Sequence, residues 1–159
     1  MSRRDQIRMS DDEVLAFLDE ERTVICASQG PRGWPHLMPL WFVVRDGRVW
    51  AWTFAKSQKT KNLERDPRAT LQVEAGETYD QLRGVMLECE AVIHRDLETV
   101  AGVGTDVLRR YTPGLADGAP LPEGAQGMVE AQAAKRVAFE FVEVRRATWD
   151  HRKLAAGVY

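Results

Sequence analysis

The chain has 159 residues, of which 44% are hydrophobic and 29% are charged, and a single domain over residues 1–159 is expected at this length. The formal net charge of -2 argues against a nucleic-acid-binding domain, which carries clustered basic residues. No stretch reaches the ~20 apolar residues that span a bilayer. Cys26 and Cys89 lack a Cys-x-x-Cys spacing, so we predict no metal site and two buried, inert thiols in a cytoplasmic protein.

The first predicted element is a short amphipathic helix. Ser10 and Glu13 form a capping box. The Ser10 hydroxyl accepts a hydrogen bond from the Glu13 amide, and the Glu13 carboxylate accepts one from the Ser10 amide. Residues 11 to about 20 then carry the apolar stripe of a helix. Residues 22–29 are rich in strand-forming residues and run into a glycine-containing turn at 30–33, which predicts the first strand.

Two further strands are predicted as a hairpin. Residues 35–45 and 48–55 are joined by Asp46-Gly47, a dipeptide that accepts positive φ at both central positions of a two-residue turn. Both strands are apolar on both faces, whereas a strand of a one-sided surface sheet alternates. Most of the tryptophans lie within residues 34–52. We therefore expect a closed barrel covered outside by helices or a second subunit, with the tryptophans forming a dimer surface or a ligand wall.

The rest of the chain predicts further antiparallel strands and two longer helical segments. In chain order these are a helix over about 57–66, strands over 68–75 and 83–94, a helix over 96–111, a loop over 113–127 that borders a site, a helical turn at about 128–134, a strand over 135–145 and a last strand through 148. Gly102 and Gly104 weaken the case for the second helix. About seven strands and three short helices indicate a mainly β fold, a barrel with peripheral helices.

The most informative segment for function is the helix start that follows the hairpin. Lys56, Lys59 and Lys61 flank the N-terminus of this helix, where the macrodipole is positive and cations are unfavourable. A bound anion resolves the conflict, because Ser57 as N-cap, the free amides of residues 58–60 and the Lys59 ammonium would converge on a phosphate. The alternative is a solvated basic turn, and the charge pattern alone leaves both interpretations open.

Other polar residues carry weaker signals. His36 follows a proline in a predicted strand and is interpreted as a satisfied or exposed side chain rather than a cofactor contact. Residues 151–153 form either a solvated tail or an anion clamp. Glu88 and Glu90 share a strand face, where a solvated edge or pairing with nearby arginines is a simpler interpretation than acid/base chemistry.

Residues 53–63 read Thr-x-x-x-Ser-x-Lys-x-x-Asn-Leu and are followed by Arg-Asp-Pro-Arg-Ala at 65–69. With the preceding hairpin, residues 35–42 and the ending at 149–154, this pattern resembles the pyridoxamine-phosphate-oxidase-like split-barrel flavoproteins. It is most similar to their actinobacterial branch of reductases, which depend on the deazaflavin coenzyme F-420 or on a flavin. The resemblance implies an FMN-binding-like split barrel of about six to seven mostly antiparallel strands, with its core over about 10–154.

The resemblance also implies a homodimer with two cofactor sites at the subunit interface. Ser57 and Lys59 match the phosphate-binding positions of the family, and Arg83 lies near a position that approaches the phosphate side. The resemblance favours F-420 as the cofactor, with FMN as the alternative, since both present a ribityl phosphate to the same pocket.

For the ring system of the cofactor, the resemblance points to two strands. Thr53 and Phe54 end the strand that lies along the ring, and Met38 and Pro39 match the stretch whose backbone meets it. His36 stands where members that oxidise pyridoxamine phosphate often carry an arginine, which implies a different substrate.

The function expected is hydride transfer between the cofactor and a small organic substrate, with no obligatory catalytic side chain. The alternatives are a non-catalytic flavin, deazaflavin or haem carrier or sensor, and a structural dimer without a cofactor.

Overall fold

The structure, a computed structural model, describes residues 2–115 and 118–154. The helices are α1 (Arg3–Gln6), α2 (Asp11–Glu20), α3 (Gln58–Arg65), α4 (Leu97–Tyr111) and α5 (Ala125–Ala133). The strands are β1 (Val24–Gln29), β2 (Pro35–Leu40), β3 (Val43–Arg45), β4 (Arg48–Phe54), β5 (Arg68–Ala75), β6 (Arg83–His94) and β7 (Arg136–Asp150). Within this part of the chain, no helix is long and apolar enough to span a membrane.

The strands form one antiparallel sheet in the order β2-β1-β5-β6-β7-β4-β3. β2 and β3 lie at opposite edges of this sheet, although only Trp41 and Phe42 separate them in the chain. Three Cα steps span at most roughly 11 Å, so the sheet must curl until its two edges nearly meet. The mainly β fold expected from the sequence is confirmed as a curled, half-open barrel.

Two strand predictions are wrong in their boundaries. Residues 35–45, predicted as one strand, form β2 and β3, because the chain crosses from one sheet edge to the other between them. Residues 135–148 were predicted as two strands, but residues 136–148 belong to the single strand β7, which is bent by a register shift opposite Glu88 and Cys89 rather than interrupted. The Asp46-Gly47 hairpin is confirmed, with φ of 50° and 73° at its two residues.

The helix predictions differ mainly at helix starts. The capping box of Ser10 and Glu13 is present and begins α2. α1 is four residues long and was missed, since it offers no apolar periodicity. α5 begins at Ala125 instead of about 128, which shortens the predicted loop over 113–127, and residues 116 and 117 of that loop lie outside the described residues.

β4 is buried on both faces, which explains its apolar sequence. Val49 and Ala51 face the core inside the barrel, whereas Trp50 and Trp52 pack outside it in a second cluster with α4 and α5. Helices therefore cover this part of the outer face of the barrel. The sequence had left helices or a second subunit as the two alternatives. Inside the barrel Cys26 and Cys89 are buried and free, and burial raises their thiol pKa values to about 11 and about 12.

The end of the described chain is anchored. The Trp149 ring lies over Gly84, where a Cβ would stand 2.3 Å from Cζ2 of the tryptophan. Arg152 pairs with Asp150 at 2.6 Å, and Lys153 pairs with a carboxylate of α2 at 2.6 Å. Both cations therefore have carboxylate partners within the chain, and these pairs join residues 151–153 to β7 and α2.

Candidate functional site

A cavity of about 540 Å³ opens between the barrel and the helices α4 and α5. Within the described ranges, β3 pairs only with residues 48–50 of β4, so residues 51–54 keep a free strand edge, and β2 pairs only with β1. The cavity is lined by residues 39–41, residues 52–54, Arg136 and the facing sides of α4 and α5. We call it the helix-side cavity; its volume lies in the range of small-ligand sites.

The structure brings most of the sequence-predicted cofactor residues together here. Pro39, Thr53 and Phe54 line the helix-side cavity. Met38 precedes Pro39 in β2 and is 40% exposed. Lys59 reaches the same place from α3, because its Nζ donates to Oγ1 of Thr53 at 3.0 Å.

Arg83 lies away from the helix-side cavity in the structure. It pairs with Glu20 at 2.7 Å and stacks over the Phe17 ring at 4.8 Å. Arg83 pairs with Asp150 at one end of β7, whereas Phe54 pairs with Arg136 at the other end. Those two ends are separated by roughly 45 Å along the strand at ~3.3 Å per residue. We therefore leave Arg83 out of the proposed site, and its assignment stays a prediction.

Lys59 is a half-buried cation without a carboxylate. Among residues 2–115 and 118–154 no carboxylate lies within 4.0 Å of its ammonium, and its hydrogen bond goes to the hydroxyl of Thr53. Burial lowers the pKa of Lys59, the Cys26 thiol opposes this change, and the positive charge of Arg136 adds to it. A desolvated cation with a neutral partner is unfavourable by itself, which favours binding of an anion.

Arg136 is a second such cation, and the sequence analysis missed it. Its guanidinium carbon lies 4.1 Å from the Phe54 ring centroid and 4.6 Å from that of Trp52, so the two rings hold it in place. Its Nε is buried without a hydrogen-bond partner among the described residues, and burial lowers the pKa of the guanidinium. Arg136 begins β7 directly after a lysine, and no sequence motif distinguishes it from the other arginines.

The start of α3 only partly matches the expected phosphate cradle. Ser57 is the N-cap, but its Oγ accepts the Thr60 amide at 3.3 Å, so that amide is not free. The Thr60 hydroxyl in turn donates to the Phe54 carbonyl at 3.1 Å. The amides of Gln58 and Lys59 have no hydrogen-bond partner in the described chain. Two free amides, instead of the expected three, are therefore available to bind a phosphate.

Asn62 holds this helix in position. It is fully buried; its Nδ2 donates to Oγ of Ser28 at 3.1 Å, and its Oδ1 accepts from Nε2 of Gln58 at 2.8 Å. The asparagine of the motif thus joins α3 to β1, and it acts on the site by positioning Lys59.

Removing this link is expected to destabilise the fold. Asn62→Ala and Ser28→Ala should each cost about 1–2 kcal/mol, because each leaves a buried partner without its hydrogen bond. In a double-mutant cycle by chemical denaturation, the two losses should fall short of additivity by about 0.5 kcal/mol or more. Strictly additive losses would show that the two side chains do not interact.

The remaining polar candidates lie away from the cavity lining. Glu88 and Glu90 alternate with the buried Leu87 and Cys89 on the central strand β6, and Glu90 stands opposite Arg68 in the β5–β6 register. His36 is half-buried, and its Nδ1 has no hydrogen-bond partner among the described residues, so its interpretation as a satisfied or exposed side chain stays a prediction.

Residues 10–150 match the family model described as pyridoxamine 5'-phosphate oxidase. The chain belongs to the pyridoxamine 5'-phosphate oxidase family. This confirms the resemblance read from the motif at residues 53–63 and the ending at 149–154.

Solved structures of similar proteins agree with membership in the pyridoxamine 5'-phosphate oxidase family. The conserved hypothetical protein Rv2991 from Mycobacterium tuberculosis is 40% identical with a TM-score of 0.86, over 99% of this chain and 98% of that chain. An F-420 reductase is 18% identical with a TM-score of 0.61, over 83% and 94% of the two chains. A FAD-binding protein from Mesorhizobium loti is 20% identical with a TM-score of 0.63, over 89% and 96%. No curated protein matches the chain.

Proposed function

We propose that the protein is an oxidoreductase that binds a flavin-type cofactor and transfers hydride between it and a small organic substrate. F-420 is the proposed cofactor, with FMN as the alternative. The observation that carries the proposal is the Lys59 ammonium, half-buried at 3.0 Å from Thr53 with no carboxylate among the described residues. Membership in the pyridoxamine 5'-phosphate oxidase family and the F-420 reductase and FAD-binding structures of the same fold support it.

The residues at the site fit the chemistry of such a cofactor. Lys59 and the amides of residues 58 and 59 suit a ribityl phosphate, since the two amides have no hydrogen-bond partner among the described residues and the Lys59 ammonium has only the neutral Thr53 hydroxyl. The free edges of β2 near Pro39 and of β4 near Thr53 offer backbone N–H and C=O groups to the polar rim of a ring system. Phe54, which is 52% exposed, offers an apolar surface for the ring.

When bound, the cofactor supplies the hydride-transfer chemistry. The chain's contribution is binding, orientation and exclusion of water. Among the described residues that line the helix-side cavity there is no carboxylate, histidine or thiol, so we assign no general acid or base. Tyr111 does not fill this role either, because its hydroxyl accepts the Phe42 amide at 2.9 Å and contacts the Arg22 carbonyl at 2.8 Å.

Titration of the purified protein with FMN and with oxidised and reduced F-420 tests the proposal. Trp41 and Trp52 line the helix-side cavity, so their fluorescence should be quenched as the cofactor binds. Absence of binding for both cofactors would remove the proposed function.

A non-catalytic carrier or sensor is the second candidate, favoured by the lack of an acid or base in the described cavity lining. The two functions differ in turnover. A bound cofactor whose absorbance is never bleached or restored by any pair of reductant and substrate would favour the carrier.

A homodimer with cofactor sites at the interface is also proposed. Trp34 and Leu37 are 75% and 57% exposed around the edge strand β2, and a patch of this kind marks an interaction surface. Sedimentation should give a dimer, and Leu37→Asp should shift it toward the monomer. Leu97→Asp, at an exposed leucine that begins α4, is the matched control and should leave the dimer unchanged. A wild-type monomer at high concentration contradicts this proposal.

Cofactor affinity is expected to depend on pH through Lys59. Its pKa is lowered by burial, so its proton is lost at a lower pH than the ~10.4 of an ordinary lysine, and affinity for a phosphate should fall as the pH rises. A bound dianion favours the ammonium and opposes this loss. In titrations between about pH 7 and 10, Lys59→Arg should show a flatter profile, because an arginine stays charged. Identical profiles for the two proteins would indicate that Lys59 does not contact the anion.

A further inference from the structure

The helix-side cavity contains more than a place for the cofactor. Its far wall, made by α4 and α5, is apolar and includes Leu108, Val129 and the 53% exposed Met128. An exposed methionine on a cavity wall offers adaptable contact area for an apolar ligand.

A flat aromatic pair forms another wall. The rings of Trp41 and Tyr111 stack with centroids 4.4 Å apart and planes 12° apart. The Tyr111 hydroxyl is already hydrogen-bonded to the backbone of Phe42, so this residue contributes its ring and not a polar group. Trp41 is 58% exposed in the single chain and therefore has a ring face available for stacking.

One charged side chain faces these apolar walls. Arg136 is the only charged residue in the described lining of the cavity, and no carboxylate in the described chain lies within 4.0 Å of its guanidinium. Its Nη2 donates to Oε1 of Gln132 at 3.5 Å, at the limit of a hydrogen bond. The rings of Phe54 and Trp52 pack against the guanidinium and restrict its movement, and neither ring neutralises its charge.

We infer that the helix-side cavity binds an aromatic organic acid, whose carboxylate pairs with Arg136 and whose apolar body lies against Trp41, Leu108 and Met128. A single fixed cation among apolar walls selects such an amphipathic anion over a sugar or an inorganic anion, which need several polar partners. Binding of this ligand does not depend on the cofactor. Its role as the substrate of hydride transfer rests on the proposed function.

The test compares naphthoate with its neutral isostere naphthamide by calorimetry on the purified protein, with and without saturating FMN or F-420. Naphthoate is expected to bind at least tenfold more tightly than naphthamide in both conditions. Arg136→Met should weaken the binding of naphthoate by about tenfold to a hundredfold, the scale of a hydrogen bond to a charged group. The same variant should leave the affinity for naphthamide unchanged. Arg95→Met, at an exposed arginine paired with Glu64, is the control and should change neither.

Two results would overturn the inference on the wild-type protein alone: equal affinity for naphthoate and naphthamide, or no binding of naphthoate. These remain decisive if Arg136→Met does not fold. An Arg136→Met protein that loses as much cofactor affinity as Lys59→Ala also overturns it, because Arg136 would then serve the cofactor's own anion. Retained naphthoate binding in a protein that binds neither FMN nor F-420 would instead leave this site standing and remove the proposed function.

Discussion

Replacing Lys59 with alanine is expected to weaken the binding of FMN and F-420 by roughly tenfold to 150-fold, or about 1.5–3 kcal/mol. The reason is that the ammonium is half-buried beside Thr53 with no carboxylate among the described residues, so a phosphate would be its ionic partner. Cofactor titration followed by tryptophan fluorescence measures the loss.

The neighbouring lysines provide matched controls for this experiment. Lys56 and Lys61 lie within three residues of Lys59 and are exposed, so their charges are screened by water. Lys56→Ala and Lys61→Ala should each change cofactor affinity less than threefold. If all three variants lose the same affinity, the effect is a general attraction between a basic segment and an anion, and the specific role of Lys59 is wrong.

Replacing Gly104 with alanine is expected to destabilise the protein by about 1–2 kcal/mol. Gly104 lies where α4 crosses β4, and a Cβ there would stand 2.4 Å from Cζ3 of Trp52. Overpacking of this kind costs about 1–3 kcal/mol, and the better helix propensity of alanine offsets only ~1 kcal/mol of that cost. Thermal or chemical unfolding measures the change.

Gly102, two residues earlier in the same helix, is the control. A Cβ at Gly102 would meet its nearest neighbour, a nitrogen of Arg45, at 3.5 Å, which is ordinary contact. Gly102→Ala should therefore stabilise the protein by about 0.5–1 kcal/mol through helix propensity. Equal effects at the two positions would contradict the close packing of α4 on Trp52.

The sequence predicted most elements because their signals are local. The capping box before α2, the Asp46-Gly47 turn and the alternation in β6 each involve residues a few positions apart. The contact between Thr53 and Lys59 within the motif at residues 53–63 is also local, since one strand end and the helix that follows it bring the two residues together.

The parts that could not be predicted depend on contacts between distant residues. The break between β2 and β3 follows from closure of the sheet and not from any local breaker, since residues 41 and 42 are a tryptophan and a phenylalanine. Arg136 reaches the site only because β7 pairs with β4, which sets it opposite Phe54. The pairing of Arg83 with Glu20 likewise joins residues 63 positions apart, which no local pattern indicates.

The sequence by itself thus determined the kind of fold, its family and the segment that carries the basic helix start, because caps, turns and periodicity act within a few residues. Only the tertiary structure decided which cations remain without a carboxylate. Lys59 and Arg136 lie 77 positions apart in the sequence. Whether a carboxylate neutralises either cation depends on distances in space, which the pairing of distant strands establishes.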